Sequence, residues 1–336
     1  MLIVASPRFE QHVTPPGHPE RPERAYVLDT VAAAWARKGG NVQAPRPATK
    51  DELGLVHDPA YVDRIAALAG TPAMLDADTF MSPESWDVAL LAAGATIQAA
   101  EHAIGSNETA FAFVRPPGHH AERDRAMGFC LFNNVAVAAA AMLERGLERI
   151  AIVDIDVHHG NGTQAMFYAD RRVLYVSTHQ YPFYPGTGAA TEIGEGDGRG
   201  FTVNVPMDAG SVDADFLHIH RTIVGPVLDE FRPQLTLVSA GYDAHERDPL
   251  ASMRMTTPGY AAVVGFVRDC AARHGALALV TEGGYELSAL SDCLTASIRI
   301  LDGQSSPYSL PVEVPSSRGD RAAENAMAVL RPYWRL

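Results

Sequence analysis

Asp154, Asp156, His158 and His159 follow directly on an apolar run, Ile150-Ala-Ile-Val153, and Gly160-Asn161-Gly162 closes the stretch. The run has the β-branched character of a strand buried on both faces. In an extended backbone, residues two apart point the same way. Asp156 and His158 therefore aim at one point, with Asp154 behind them. Two carboxylates and an imidazole at the end of a buried strand are costly unless they are paired or hold a cation. A strand end simply capped by water is the plainer reading, and so many polar groups on one buried strand weigh against it.

Three further stretches carry reactive side chains. His119-His120 follows the stiff turn Arg115-Pro-Pro-Gly118, Asp243 sits in Gly241-Tyr-Asp-Ala-His245, and Tyr285 ends Glu282-Gly-Gly-Tyr. Each lies just past an apolar strand-like run, at residues 109–114, 235–239 and 277–280 respectively. Further strands are expected at 2–5, 173–179 and 201–205. Helical spacing appears at 26–38, from Asp58-Pro59 onward, and at 84–104, 135–145, 213–231, 257–274 and 320–330. The glycine-rich segment after Tyr181 trails into a strand and not a helix, which excludes a phosphate loop. Residues 305–317, rich in Pro and Ser, read as a connector before a C-terminal helix within one domain spanning 1–336. Strands alternating with helices predict an α/β fold, a mostly parallel sheet covered on both faces. Sites in such sheets form at the C-terminal edge of the strands, where all four stretches lie.

Asp156, His158 and Asp243 would supply three protein ligands and leave a position open, as catalytic metal sites do. The oxygen-rich set suits Zn²⁺ and is compatible with Fe²⁺ or Mn²⁺. Such a metal acidifies water and polarises a carbonyl. One of the tandem histidines would take the water's proton and return it to a leaving amine, and the Tyr285 hydroxyl would donate to the developing oxyanion. The constellation describes metal-assisted amide hydrolysis.

The rest of the composition narrows the setting. The chain has 336 residues, 47% hydrophobic and 20% charged, which is ordinary for a globular protein with a large core. The net charge of −13 argues against direct nucleic-acid binding and suits a cationic substrate. No run approaches the roughly 18 apolar residues of a membrane span, and the first residues lack a basic leader. With three scattered cysteines and no Cys-x-x-Cys, a reducing, cytoplasmic setting is expected.

The motifs Arg-Pro-Pro-Gly-His-His (115–120), Gly-Phe-Cys-Leu-Phe-Asn-Asn (128–134), Asp-Ile-Asp-Val-His-His-Gly-Asn-Gly (154–162), Tyr-Pro-Gly-Thr-Gly (184–188), Gly-Tyr-Asp-Ala-His (241–245) and Glu-Gly-Gly-Tyr (282–285) resemble those of the zinc-dependent histone deacetylases. The loop Gly17-His-Pro-Glu-Arg-Pro-Glu-Arg24 extends the resemblance toward the bacterial class II type, the histone deacetylase-like amidohydrolases. It implies an arginase-like three-layer fold with one eight-stranded parallel sheet. It also implies Zn²⁺ on Asp156, His158 and Asp243, His120 as general base and acid, and His119 as its electrostatic neighbour, held by Asp154. Tyr285 matches the tyrosine that polarises the scissile carbonyl. Gly128, Phe129 and Tyr184 match the wall of an acyl-lysine tunnel. Main-chain carbonyls of Asp154, Asp156 and His158, with Ser177, resemble a structural K⁺ site.

Two departures from the family pattern matter. Asn161 stands where class I enzymes have an aspartate beside the second histidine. Leu250 occupies the tunnel mouth where a polyamine-selecting relative carries a glutamate. The resemblance implies removal of acetyl groups from acetyl-lysine in peptides or proteins, with small acetylated amines such as polyamines as the alternative substrate. A non-catalytic acyl-lysine binder would have lost the tyrosine or a ligand, and a binuclear arginase-type centre would need further aspartates. Self-association into a homo-oligomer is compatible with this reading.

Overall fold

The structure is a computed structural model that describes residues 1–304 and 316–336. Its strands are β1 (Leu2–Ala5), β2 (Asn41–Gln43), β3 (Ala73–Met74), β4 (Phe80–Met81), β5 (Ala110–Phe113), β6 (Ile150–Asp154), β7 (Val173–Gln180), β8 (Thr202–Met207), β9 (Leu235–Ala240) and β10 (Ala276–Thr281). Eight of them form one sheet in the order β2-β1-β5-β10-β9-β6-β7-β8, and every neighbouring pair is parallel. β3 and β4 make a separate antiparallel hairpin. The helices are α1 (Glu23–Arg37), α2 (Lys50–Leu53), α3 (Pro59–Ala66), α4 (Ser85–Ser106), α5 (Asn134–Glu144), α6 (Asn161–Phe167), α7 (Asp213–Ile219), α8 (Gly225–Phe231), α9 (Thr257–Ala271), α10 (Leu287–Leu301) and α11 (Ser317–Leu330).

The layers follow from side-chain alternation. In β6, Ala151 and Val153 face a core shared with α1 and α7 to α11. Ile150 and Ile152 face the opposite core, shared with α2 to α6. Because both faces are covered, the central strands carry apolar residues on both faces, with few polar exceptions such as Thr236 and Ser239 of β9, and no polar alternation is needed. The result is the expected helix–sheet–helix sandwich, with the C-terminal ends of β5, β6, β9 and β10 side by side.

Several boundaries differ from the sequence expectation, each for a local reason. β6 ends at Asp154, short of the Asp156–His158 segment. There Asp154 Oδ1 accepts the Asp156 amide at 3.2 Å and Asp156 Oδ1 accepts the His158 amide at 2.9 Å. Side-chain acceptors thus replace the sheet ladder and bend the chain. The 213–231 helix widens into a π turn at His220–Val224 between α7 and α8. Pro226, at the start of α8, has no amide hydrogen to give, and a wider turn accommodates it. The region after Tyr285, read without a helix, holds α10, with Glu286 as its N-cap. Short elements α2, α6, β2 and the β3–β4 hairpin were likewise not expected. α9 stops at Ala271, short of residue 274. The 305–317 connector falls almost wholly outside the described residues, and α11 already begins at Ser317 with Ser316 as its cap.

Contrary to the composition reading, α4 is long and apolar enough to cross a membrane, yet 67% of that stretch is buried. Its alanine-rich surface packs against α5, β1, β5 and β10. Gly94, within it, lets the 46–48 backbone pass directly over the helix. A Cβ there would lie 1.9 Å from the Arg46 carbonyl oxygen and 2.7 Å from the Ala48 nitrogen. Backbone on both sides has little room to yield, so Gly94→Ala is expected to destabilise the fold by about 1–3 kcal/mol. Thermal unfolding of the two proteins tests this, and an unchanged midpoint would contradict so close an approach.

Candidate active site

The turn after β6 and the loop after β9 bring Asp156, His158 and Asp243 together. One ligand atom from each lies within 4.8 Å of the others. His158 Nδ1 sits 3.1 Å from Asp156 Oδ1 and 3.0 Å from Asp243 Oδ2. Both carboxylates are fully buried. Their remaining lone pairs take backbone amides, Gly283 on Asp156 Oδ2 at 2.8 Å and Val157 on Asp243 Oδ1 at 3.0 Å. Two glycines allow the packing. A Cβ on Gly241 would stand 2.0 Å from Asp156 Oδ2, and one on Gly283 would stand 2.1 Å from Asp243 Oδ2. Burial opposes charge on His158, but hydrogen bonds to Asp156 and Asp243 outweigh it and raise its pKa. Two buried carboxylates converging on one imidazole nitrogen form an anionic cradle, and this donor set fits a divalent cation.

The loop after β5 delivers the tandem histidines, whose rings are 4.0 Å apart. His119 Nδ1 is 3.1 Å from Asp154 Oδ2. The other neighbours of Asp154 are the Tyr175 hydroxyl and the Asp156 amide. Burial works against a charged His119, yet Asp156 and Asp154 push its pKa up to about 10. His120 behaves oppositely. Burial, then the neighbouring His119 and His158, hold it well below the ordinary imidazole value. The pair is therefore split into one cationic and one neutral ring.

Asn161, at the start of α6, fixes the tautomer of the neutral ring. Its side-chain amine donates to Glu122 Oε1 at 2.7 Å. This network turns Asn161 Oδ1 toward His120 Nδ1, 2.8 Å away. Nδ1 then carries the hydrogen, and the Nε2 lone pair stays free to accept a proton. Glu122 was not singled out from the sequence. Its contribution depends on Asn161, 39 residues away, and no local spacing announces it.

The walls are aromatic. Tyr184 meets the His120 ring edge-on at 5.1 Å, and Phe129 meets Tyr285 at 5.8 Å. Phe183, also missed by the sequence reading, stacks on His158 at 5.4 Å. Gly128 has φ +56°, and a Cβ there would strike His120 Cδ2 at 2.4 Å, so only glycine lets the backbone lie against that ring. Phe129 also takes a left-handed φ of 68°, held by its amide on Thr79 Oγ1 at 3.1 Å. Non-glycine residues in this region are strained and cluster at functional sites.

Tyr285 is buried, and burial raises its phenol pKa well above the usual value even with Arg24 beside it, so the hydroxyl keeps its hydrogen. The Arg24 guanidinium lies 5.0 Å over its ring. From there Arg24 donates to the carbonyls of Gly284 and Glu282 at 2.8 and 2.5 Å. Arg24 is balanced by Glu20, which also accepts two bonds from Arg115 at 2.6 and 2.8 Å. Glu282 accepts the Gly118 and His119 amides, joining the tyrosine turn to the histidine loop. Asp248 Oδ2 accepts the Tyr285 amide at 2.7 Å, and its Oδ1 accepts the Leu250 amide at 3.0 Å. Leu250 thus meets the site through its backbone. Ser177 pairs in register with Asp154, and its hydroxyl faces His179 Nδ1 at 2.9 Å.

A metal held in this cradle would lose affinity sharply if one carboxylate were removed. Asp243→Asn is expected to lower Zn²⁺ affinity by more than about 100-fold, since losing even an outer partner of a ligand costs about 10- to 100-fold. Competition with a chromophoric chelator measures it, and equal affinities would remove Asp243 from the ligand set.

The histone deacetylase domain profile matches residues 18–301. The chain is 42% identical over 303 residues to a histone deacetylase-like amidohydrolase of Pseudomonas aeruginosa, covering 87% of this chain and 79% of that one. It is 41% identical over 291 residues to a probable deacetylase of Archaeoglobus fulgidus, covering 85% and 81%. Histone deacetylase 15 of Arabidopsis thaliana is 38% identical over 97% of this chain, which spans 60% of that longer protein. The crystal structure of the HDA15 HD domain superposes with a TM-score of 0.91 at 35% identity, covering 99% of this chain and 94% of that one. With the domain profile extending over most of its length and these identities near 40%, the chain belongs to the histone deacetylase family.

Proposed function

We propose that the protein is a zinc-dependent deacetylase that removes acetyl groups from lysine side chains. The observation that carries this reading is the convergence of Asp156, His158 and Asp243 beside the tandem histidines, each with its own partner, and the buried Tyr285. A divalent metal in the cradle would acidify a water and polarise the amide carbonyl. Phe129, Tyr184 and Phe183 flank an extended acyl-lysine, which they desolvate and orient. His120 Nε2 takes the proton of the attacking water and passes it to the departing lysine amine, so the amine leaves neutral. His119, kept cationic, supports negative charge growing at the reaction centre. Tyr285 donates its hydroxyl hydrogen to the carbonyl oxygen as that oxygen gains charge. Ser177 gives its hydroxyl hydrogen to His179 Nδ1, because His179 Nε2 is engaged with the Gly188 carbonyl at 2.8 Å. Its oxygen thus keeps acceptor capacity, which favours K⁺ as a structural ion beside Asp154.

Zn²⁺-loaded protein is expected to turn over an acetyl-lysine peptide with higher kcat/KM than an acetylated diamine, because Leu250 supplies no carboxylate at the mouth to select a second ammonium. The reverse order would assign it to small acetylated amines. His120→Ala and Tyr285→Phe are each expected to lower kcat on the peptide by at least about 100-fold with little change in KM. Near-normal turnover in either variant would overturn the mechanism.

The pH profile follows from His120. Only its neutral form accepts a proton, and its depressed pKa keeps that form present into mildly acidic solution. An aspartate at 161 would stabilise the imidazolium and raise that pKa. The acid limb of kcat/KM in Asn161→Asp is therefore expected at higher pH than in the wild type. Coincident acid limbs would show that His120 does not set it.

A further inference from the structure

A concavity of about 710 Å³ shares no lining residue with the machinery above. Val13, Pro15, Met74, Phe80, Met81 and Pro83 line it. Met74 and Val13 are among the most exposed large apolar side chains of the described residues, at 69% and 54%. Surfaces of this kind are uncommon unless something covers them.

The groove is preformed. The Val13 amide donates to Ser82 Oγ at 3.0 Å, and that hydroxyl donates to the Gln11 carbonyl at 3.1 Å, tying the two walls together. It is also continuous with the tunnel wall. The His18 ring lies 5.5 Å from Phe80 and 4.7 Å from Phe129. His18 is held in place by the carbonyls of Glu20 and Asp78, at 2.9 and 3.0 Å from its two nitrogens. An extended polypeptide advances about 3.3 Å per residue. The two spacings cap the Phe129–Phe80 separation at about 10 Å, so a chain whose lysine passes Phe129 reaches Phe80 in about three residues or fewer.

The surroundings are acidic. Glu84 borders the groove. Asp76 and Asp78, on the β3–β4 turn, lie close enough to Tyr184 to act on its phenol, and Arg125, which also acts on it, is paired with Glu122 at 2.9 Å. Neither aspartate pairs with a cationic side chain among the described residues. Their oxygens face only local donors, the Ala77 amide and the Thr79 hydroxyl.

Building on the deacetylase reading, we propose that this groove binds an apolar side chain of a protein substrate, at most about three residues from the acetylated lysine and within a basic sequence. A small acetylated amine fills the tunnel and leaves the groove empty, whereas a polypeptide engages both. The groove is thus a specificity site for polypeptides. The apolar side chain leaves water as it enters, and neighbouring lysines or arginines of the substrate meet Asp76, Asp78 and Glu84.

The test uses Zn²⁺-loaded protein and acetyl-lysine peptides of Gly, Ser and Arg in which one Leu is walked from four residues before the lysine to four after it. Each rate is divided by the same enzyme's kcat/KM on N-acetyl-lysine amide. The ratio is expected to peak about tenfold above the Leu-free peptide at one offset of about three residues or fewer. Met74→Asp and Val13→Asp, both surface substitutions, are expected to abolish the peak. A flat wild-type series, or a peak that survives both substitutions, would overturn the groove assignment alone. No turnover of N-acetyl-lysine amide by the Zn²⁺-loaded wild type would overturn the deacetylase reading, and the assignment with it. A wild-type dimer that Met74→Asp dissociates would make the groove a self-association face and overturn the proposal.

Discussion

Carboxyl groups held away from water are the constraint that organises this molecule. Asp154, Asp156, Asp243, Glu282 and Glu20 are all fully buried, gathered past the C-terminal ends of the central strands. A lone buried carboxylate costs several kcal/mol, so each must find cations or donated hydrogens. Much of the architecture supplies them. Glu20 is met by Arg115 and Arg24, Asp154 by His119 and Tyr175, and Asp156 and Asp243 by His158 and backbone amides. Only the last pair converges on a single imidazole nitrogen, and that donor set is one that fits a divalent cation.

The same constraint separates the two histidines. Adjacent imidazoles in one low-dielectric space cannot both hold a proton cheaply, since each charge disfavours the other. The aspartates lie on the side of His119, and the neutral amide of Asn161 lies on the side of His120. The choice between them is made by partners, not by the rings. Glu122 completes it, because its carboxylate decides which end of the Asn161 amide faces His120.

The reactive side chains were legible in the sequence because they sit at the ends of apolar runs, where strand periodicity and chemistry meet within a few residues. His119, His120, Asp156, His158, Asp243 and Tyr285 all belong to such ends, and the sheet order could be left unspecified. The supports were not legible. Arg24 reaches Gly284 across 260 residues, and Arg115 reaches Glu20 across 95. Neither pairing leaves any spacing to detect. α10 escaped notice for a different reason. Its Ser288, Ser291, Thr295 and Ser297 are weak helix formers that blur the apolar stripe, and tertiary packing against α9 and α1 decides its state. The continuation of β6 through His158 failed because the aspartates themselves competed for the backbone amides.

Asp248 links two regions that would otherwise be independent. One of its oxygens holds the amide of Leu250, and the other holds the amides of Tyr285 and Glu286. A carboxylate is a rigid plane, so its two oxygens move as one body. A shift of the Leu250 amide would therefore also pull on the turn that carries the tyrosine. Evolution of a new substrate preference around Leu250 would then not be free to proceed by local substitutions alone. On the proposed deacetylase reading, a substitution that shifts the Leu250 amide would also act on the turn that carries Tyr285, so selectivity and turnover would change together.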